Sequence, residues 1–422
     1  EWTTDRLFLI QVGWGWNDNY AFTQPYWKYV KEILEDASSH KVAHNIKFDL
    51  HFLRNVGITP RGMLHDTQAM ARLLLPASAP LGLKELAVTF IDAKADQPEK
   101  ALKRWIAAEK RRRSKELTKA LREIGYTRKE FDQMVKEKVP LPADIQALLQ
   151  KIRLDVTYAD VPREIMEPYA TTDTRYTWVL FKKFGPLLRA NGLIPVYERD
   201  MAVIRRVFHW ECTGLEADVN YLKDGVAHGE RRLMELEQEI YRMAGAEVNL
   251  NSPKQLLELF EKRGIKLEST DEEAMKNIQG QDPLAKKILE YRGYTKMVGT
   301  YFKPIYRKAV ANNGRLYGSF NVTIPVTGRF SSSNPNLQNI PKDFDDEKLQ
   351  VRKAIKPTDG YIFVFMDYSQ MEVRIMAEYS KDKNLTEAIL NGEDLHTKTA
   401  LAIDPRAKEL YIPGKHKDDQ PP

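Results

Sequence analysis

Asp367 follows an apolar run, Tyr361 to Met366, that is rich in β-forming residues and free of Gly and Pro. Such a run predicts a buried strand. Ser369 and Glu372 have capping-box spacing, so a helix is expected to start near Gln370. Met371, Ile375, Met376 and Tyr379 then recur at helical spacing. A carboxylate at the end of a buried strand is held rigidly above a cleft, and hard cations such as Mg2+ take that kind of oxygen ligand. A second group of polar residues lies far upstream. Asn45 and Asp49 are four apart, as are Tyr169 and Asp173, so each pair is expected on one helix face. Two acids from distant helices, one beside an amide and one beside a phenol, suit metal-assisted hydrolysis of a phosphodiester. The acids hold divalent ions, the ions polarise phosphate and activate water, and Tyr169 can orient that water. Spacing alone does not separate this from ordinary surface polar residues, which are the commoner case.

The elements that must position these groups follow from periodicity. Arg6 to Gly13 predicts a strand, 27–38 a helix, and Val42 to His44 a short strand. A helix is expected over 45–53, with Phe48, Phe52 and Leu53 on one face, and two more over 66–75 and 81–91. Residues 95–150 form a polar helical insert whose first part is strongly basic: Lys103, Arg104, Lys110, Arg111, Arg112, Arg113 and Lys115. It suits either a solvated face or a phosphate-contacting arm. A helix returns around 165–185, and 185–195 has the features of a domain boundary. Helices follow from Tyr197 to Glu211 and from Tyr221 to Met243. Ser252-Pro253-x-Gln255, Thr270-x-x-Glu273 and Asp282-Pro283 start three more. After Asn312-Asn313-Gly314, the alternation of Leu316, Gly318, Phe320, Val322 and Ile324 predicts a strand, then a loop over 327–341.

The chain has 422 residues, 42% hydrophobic and 29% charged, enough for two to four domains of ordinary composition. No apolar run is long enough for a membrane span, and no basic-then-apolar leader opens the sequence. Cys212 is the only cysteine, which excludes an intrachain disulfide and suits a reducing compartment. The net charge of +6 is compatible with a nucleic-acid partner without requiring one.

Longer stretches are more specific. HNIKFDLHFL (44–53) resembles the second motif of the DnaQ-like 3′→5′ exonucleases, and YATTD (169–173) resembles their third, Tyr-x-x-x-Asp. HDTQAMARLL (65–74) and LGLKELA (81–87) are similar to the connecting helices of that fold. The family's first motif, Asp-x-Glu on the first strand, has no counterpart, because Glu1 lies too close to the next strand. DYSQMEVR (367–374) resembles motif A of the family A DNA polymerases, and TGRFSSSNPNLQNIP (327–341) the signature that precedes it. EYRGYTKMVGTY (290–301) is similar to that family's thumb, and WECTGLEADVNYL (210–222) to the base of the thumb, where Cys212 is a small packing residue.

The resemblance implies roles. Asp367 and the Tyr368 carbonyl would hold Mg2+ (or Mn2+) for nucleotidyl transfer, and Asp49 and Asp173 would hold it for exonucleolytic hydrolysis, with Tyr169 beside them and Asn45 binding DNA. Glu372 would exclude a 2′-hydroxyl, Arg374 would position Glu372 or the substrate, and His396 in EDLHTKTA (393–400) would contact the triphosphate. Arg329, Asn336 and Gln338 would contact template–primer DNA, and Lys296 and Arg292 duplex phosphates. The implied architecture is an α/β, RNase H-like exonuclease domain over 1–185, a helical thumb over 186–310, and the start of an α+β palm over 311–422. The fingers helix and the His-Asp-Glu motif with the second aspartate do not follow His396. The expectation is therefore a truncated or split polymerase, inactive in synthesis alone. A second polypeptide would supply fingers and the second aspartate. The substrates would be template–primer DNA and dNTP, and the setting a bacterial cytoplasm or nucleoid. The alternatives are a non-catalytic DNA-binding subunit and an exonuclease-only repair protein.

Overall fold

The computed structural model describes residues 3, 5–137, 139–322, 325, 327–342 and 344–404. They fall into two compact units, Glu1–Lys356 and Pro357–Pro422. In the first, β1 (Ile10–Gly13) and β2 (Asn19–Phe22) form an antiparallel hairpin, with Gly13 opposite Asn19. Gly13 is required by close approach, since a Cβ there would lie 2.3 Å from Asn19 Oδ1. After α1 (Trp27–Glu35), β3 (Lys41–Ala43) leads into α2 (Ile46–Asn55). β4 (Leu64–Asp66) pairs parallel to β3 and runs into α3 (Thr67–Leu74), followed by α4 (Leu83–Phe90). The insert comprises α5 (Gln97–Glu123), α6 (Arg128–Glu137) and α7 (Ala143–Lys151), and has its own core around Leu117, Leu121, Phe131 and Ile145.

The long α8 (Arg163–Ala190) and α9 (Ile194–Thr213) close the main core. Ile46, Leu50, Met70, Leu86, Leu180, Phe184, Tyr197 and Met201 pack together there, so apolar contacts continue through the turn between α8 and α9. The strands are few, as an antiparallel pair and a parallel pair flanked by helices. The face expected from Phe48, Phe52 and Leu53 is corrected. α2 buries Ile46, Leu50 and His51, while Phe48 is 59% exposed and stacks on Phe52 with centroids 4.9 Å apart.

β5 (Leu215–Ala217) opens a helical region of α10 (Val219–Ala244), α11 (Pro253–Lys262), α12 (Glu272–Ile278) and α13 (Pro283–Lys296). A π-helical stretch, Met297–Phe302, joins α13 to α14 (Lys303–Ala311). Asp218, Ser252, Asp271 and Asp282 cap their helices through side-chain oxygens, close to the starts expected from the sequence. Gly225 and Gly229 have a packing role. A Cβ on either would lie 2.3 Å from the buried Phe302 or Val298, so the two glycines let α10 approach the π-helical stretch. The single strand expected after Gly314 is instead two short ones: β6 (Arg315–Leu316) pairs with β5, and β7 (Ser319–Asn321) pairs antiparallel with β8 (Ser331–Ser333). Ile324 lies outside the described residues. β9 (Ile355–Lys356) completes the three-stranded sheet around β5.

In the second unit, the buried strand expected over Tyr361–Met366 is not formed. The run is in no strand, and Phe365 and Met366 are each 89% exposed. A strand needs a partner ladder and a covered face, and among the described residues none pairs with it. α15 (Met371–Ser380) starts where expected but without the capping box: Gln370 is its N-cap, in the left-handed region, with no side-chain cap bond. α16 (Lys383–Leu390) and α17 (Leu395–Ile403) follow, capped by Asp382 and Asp394. Among the described residues no helix is long and apolar enough to cross a membrane.

One buried ionic knot ties distant parts of the first unit together. Glu211, 2% exposed, accepts from His51 Nε2 at 2.6 Å, from the Lys47 ammonium, and from the Phe320 amide in β7. Burial opposes its charge, yet the His51 hydrogen bond and the Lys47 charge hold the carboxyl below its usual range. Removing one member of such a pair leaves buried groups uncompensated, so Glu211→Ala is expected to cost about 3–5 kcal/mol. Glu216, whose bridge to Lys356 spans 3.7 Å at the surface, should cost no more than about 1 kcal/mol when changed to Ala. Urea midpoints of the two variants check this, and equal losses would contradict it.

Candidate active site

The cleft of the first unit is built around a carboxylate that the sequence reading passed over. Asp66 ends β4, caps α3, and is 3% exposed. It accepts from Gln68 N at 2.8 Å and Ala69 N at 3.4 Å in its own helix, and from Asn45 N and Ile46 N, each at 3.0 Å, at the start of α2. One side chain therefore satisfies the orphan amides of two helices. Its backbone amide donates to the Tyr197 hydroxyl at 3.0 Å, which ties the same point to α9. Burial pushes the Asp66 carboxyl up, against the pull of those amides. The available signal was Asp-Thr at the junction of a strand and a helix.

Asp49 is one turn into α2 from this anchor. Asn45 does not share its helix face as expected: it is the residue before the helix, in the left-handed region, and its amide is committed to Asp66. Asp49 opens to solvent but is ringed by protein. Burial, with the negative charge of Asp66 and then of Asp173, pushes its carboxyl up to about 7. Asp173 comes from α8, which the β1–β2 hairpin steadies: Asn19 Oδ1 accepts from Thr174 at 2.9 Å, and Arg175 donates to the Trp16 carbonyl at 2.6 Å. The two acids expected from distant helices thus share one electrostatic site. Burial raises Asp173 as well, although Lys84 pulls the other way.

Lys84 is the second group missed from sequence. It lies in the first turn of α4, whose start is pinned by His44: one ring nitrogen meets the Leu81 carbonyl at 2.8 Å and the other the Thr67 hydroxyl at 2.9 Å. The Lys84 ammonium binds Asp173 and lies 5.0 Å from the Tyr169 ring and 5.5 Å from that of Tyr176. Tyr169, one turn before Asp173 and hydrogen-bonded to it, has its hydroxyl pushed up by burial and by the Asp173 charge. A lysine between two aromatic rings and a carboxylate is hard to foresee, because its partners are 85 to 92 residues away in sequence. The donor chemistry fits a hard divalent cation: two carboxylates both raised by burial, and Asp49 further by the charges of Asp66 and Asp173. Among the described residues no three His, Cys, Asp or Glu side chains are close enough to hold a metal ion, and Lys84 serves as the local cation.

The other expected site residues are spread more widely. The loop over 327–341 is shaped by local bonds. Asn336 Oδ1 accepts from Gln338 N at 3.1 Å, and Ser332 Oγ accepts from Leu337 N at 3.2 Å. Arg329, Asn336 and Gln338 are exposed on it, and Phe330 meets Trp210 edge-on at 6.1 Å. Lys296 is exposed at the end of α13. Arg292 is half-buried and donates to the Thr270 carbonyl and hydroxyl, so much of its guanidinium serves the fold rather than a phosphate. In the second unit, Asp367 and Tyr368 line an open groove with Ser369, Met371, Arg374 and Glu378. Arg374 donates to the Ser369 carbonyl at 2.8 Å, and Glu372 is exposed. The rigid mount expected for Asp367 is absent, because the run before it is an uncovered extended segment. His396 belongs to α17, but its side chain lies outside the described residues.

Comparison with known proteins places this geometry. The family model described as 3'-5' exonuclease matches residues 3–120, and that of DNA polymerase family A matches residues 219–410. Residues 219–410 thus belong to DNA polymerase family A, and residues 3–120 to a 3'-5' exonuclease family. The chain is 31% identical over 385 residues to DNA polymerase I of Chloroflexus aurantiacus, covering 87% of this chain and 36% of that protein. It is 38% identical over 213 residues to the thermostable DNA polymerase I of Thermus aquaticus, covering 48% of this chain and 25% of that one. The chain thus spans roughly a third or less of the length of these relatives. Among solved structures, the polymerase domain of Pol1 from M. smegmatis, in complex with DNA primer-template and dNTP, superposes with a TM-score of 0.63 at 25% identity. That match covers 93% of this chain and 60% of the other.

The raised Asp49 carboxyl makes a signed prediction. Its folded value, about 7, lies above the ordinary carboxylate value near 4. The folded state therefore keeps a proton that the unfolded state has released between those two pH values. This contribution to stability is whole below about pH 4 and is lost as pH rises through about 7. Asp49→Asn removes the ionisation, so the variant should gain on the parent steadily from pH 4 to pH 8 in urea midpoint, with no such drift below pH 4. A constant offset across the range would show that Asp49 titrates normally.

Proposed function

We propose that this chain is the exonuclease, thumb and early palm portion of a proofreading DNA polymerase. The segments are 1–185 for 3′→5′ hydrolysis, 186–310 for holding duplex, and 311–422 for the first part of the nucleotidyl-transfer site. The observation that carries the hydrolytic half is the electrostatic convergence of Asp49, Tyr169 and Asp173 from α2 and α8, with both carboxyls raised. Mg2+ or Mn2+ held by Asp49 and Asp173 would supply charge for the scissile phosphate and a more acidic bound water. The chain's own groups do the rest. Tyr169, with its hydroxyl kept protonated and hydrogen-bonded to Asp173, is suited to orienting a water for in-line attack. Lys84 balances Asp173 until a divalent cation takes its place.

For synthesis the proposal assigns Asp367 and the Tyr368 carbonyl to metal binding. Glu372, Arg374 and His396 face the incoming dNTP. Arg329, Asn336, Gln338 and Lys296 contact template–primer DNA, with Arg292 a lesser contact and Asn45 a DNA contact in the exonuclease segment. The support is the family match over 219–410 and the exposure of the 327–341 loop. The uncovered Tyr361–Met366 run favours the further reading that Asp367 becomes catalytic only when added strands mount it, whether from more of the same chain or from a second polypeptide.

Two measurements test this. Mg2+- or Mn2+-dependent digestion of single-stranded DNA should fall about 100-fold or more in Asp49→Ala and in Asp173→Ala. Digestion unchanged in both would remove the exonuclease assignment. Primer extension by the 422-residue chain alone should be absent, and extension lost on Asp367→Ala would overturn the view that Asp367 needs further strands.

A further inference from the structure

Helix α5 carries two faces of opposite character. Arg104, Arg111, Lys115 and Arg122 are spaced 7, 4 and 7 residues apart. At 3.6 residues per turn they lie within about 40° of one another around the helix, along about 27 Å of its length. All four are exposed, and among the described residues none makes an ion pair or hydrogen bond. Glu109, Glu116 and Glu123 repeat every seven residues on a different face, about 100–140° away. There they take up the neighbouring cations. Arg112 binds Glu109 and Glu116 at 2.8 and 2.9 Å, Arg113 binds Glu109 at 2.9 Å, and Lys119 reaches Glu123 at 3.9 Å. A helix that needed charge only for solubility would intersperse signs, since like charges at i, i+4 such as Arg111 and Lys115 destabilise it. Here the pairing is complete on one face and absent on the other.

The stripe has a direction. At the N-terminal end of α5, the charge of Glu99 is felt at both Tyr169 and Asp173. Arg104 is five residues on, about 7.5 Å along the axis and about 140° around it, so the stripe lies on the solvent side of α5 and not on the side that meets α8. Lys115 and Arg122, with Ser114, Thr118, Lys119 and Glu123, line a shallow open groove further along. The complementary partner of four spaced, unpaired cations along about 27 Å of the solvent side of α5 is a phosphate backbone.

We propose that the Arg104–Arg111–Lys115–Arg122 face of α5 is a DNA-backbone track that holds nucleic acid leading to or from the Asp49–Asp173 cleft. The inference rests on the exonuclease reading but is separable from it. The test uses the full chain in EDTA, with a fluorescent 20-nucleotide single strand and the matching duplex, and follows anisotropy from 50 to 300 mM salt. The variant carries Arg104→Gln, Arg111→Gln, Lys115→Gln and Arg122→Gln together, and its urea midpoint reports that it folds, since all four side chains are exposed. Each phosphate contact contributes about 0.7 to the slope of log K against log salt for a single strand and about 0.9 for duplex. Loss of the track should therefore lower the slope by about 2–3 and weaken binding more than tenfold at 100 mM salt. A loss confined to the single strand identifies the track with the strand being degraded, and one confined to duplex with the DNA behind it. An unchanged slope in a folded variant that still binds DNA overturns the track and leaves the exonuclease reading intact. Failure of the unaltered chain to bind either DNA removes both.

Discussion

The Asp66 carboxylate is shared by the first amides of α2 and α3, and the position of every other cleft group is measured from it. Helix N-termini leave donors unsatisfied, and here two helices meet on one acceptor. That choice fixes the angle at which α2 leaves β3, and with it the place of Asp49 one turn later. It also puts a negative charge where Asp49 must feel it. The anchor therefore adds to the burial that raises the Asp49 carboxyl. The cost is a buried carboxylate, offset by four amide donors.

The cation at Asp173 follows from the same economy of charge. With the Asp66 carboxyl fixed in place, a second and third carboxyl can be gathered nearby only if something positive joins them or if some of them hold protons. The protein does both: Lys84 reaches Asp173, and Asp49 is biased towards its neutral form. Lys84 is mounted for that office by His44, whose two ring nitrogens clamp the start of α4 to the neighbouring loop and helix.

Much of this was legible because it is local. Ser252 and Asp282 cap their helices as their sequence signals predict, each bonding an amide within four residues, whereas α12 is capped by Asp271 and not by the expected Thr270. The roles of Lys84 and Glu211 were not legible, because their partners are about 85 to 165 residues away and no periodicity encodes that distance. Asn45 misled for a backbone reason. The i, i+4 rule assumes both residues are helical, and Asn45 is a left-handed residue before the helix. The capping box at Ser369 failed in the same way, with Gln370 in the left-handed region where the motif requires an extended cap.

The run from Tyr361 to Met366 shows the limit of composition more sharply. Its residues have every preference for a strand, but β preference is a preference for fitting between neighbours rather than a property of the backbone alone. Exposed aromatic and aliphatic side chains next to unpaired backbone donors are unfavourable in water and prone to find other edges. A carboxylate at the end of such a segment has its chemistry but not its address, because the ångström-level placement that nucleotidyl transfer demands comes from the sheet and not from the residue. Asp49 and Asp367 make the contrast within one chain. One is fixed by an anchor that the described residues complete, and the other follows a segment whose ladder they leave open.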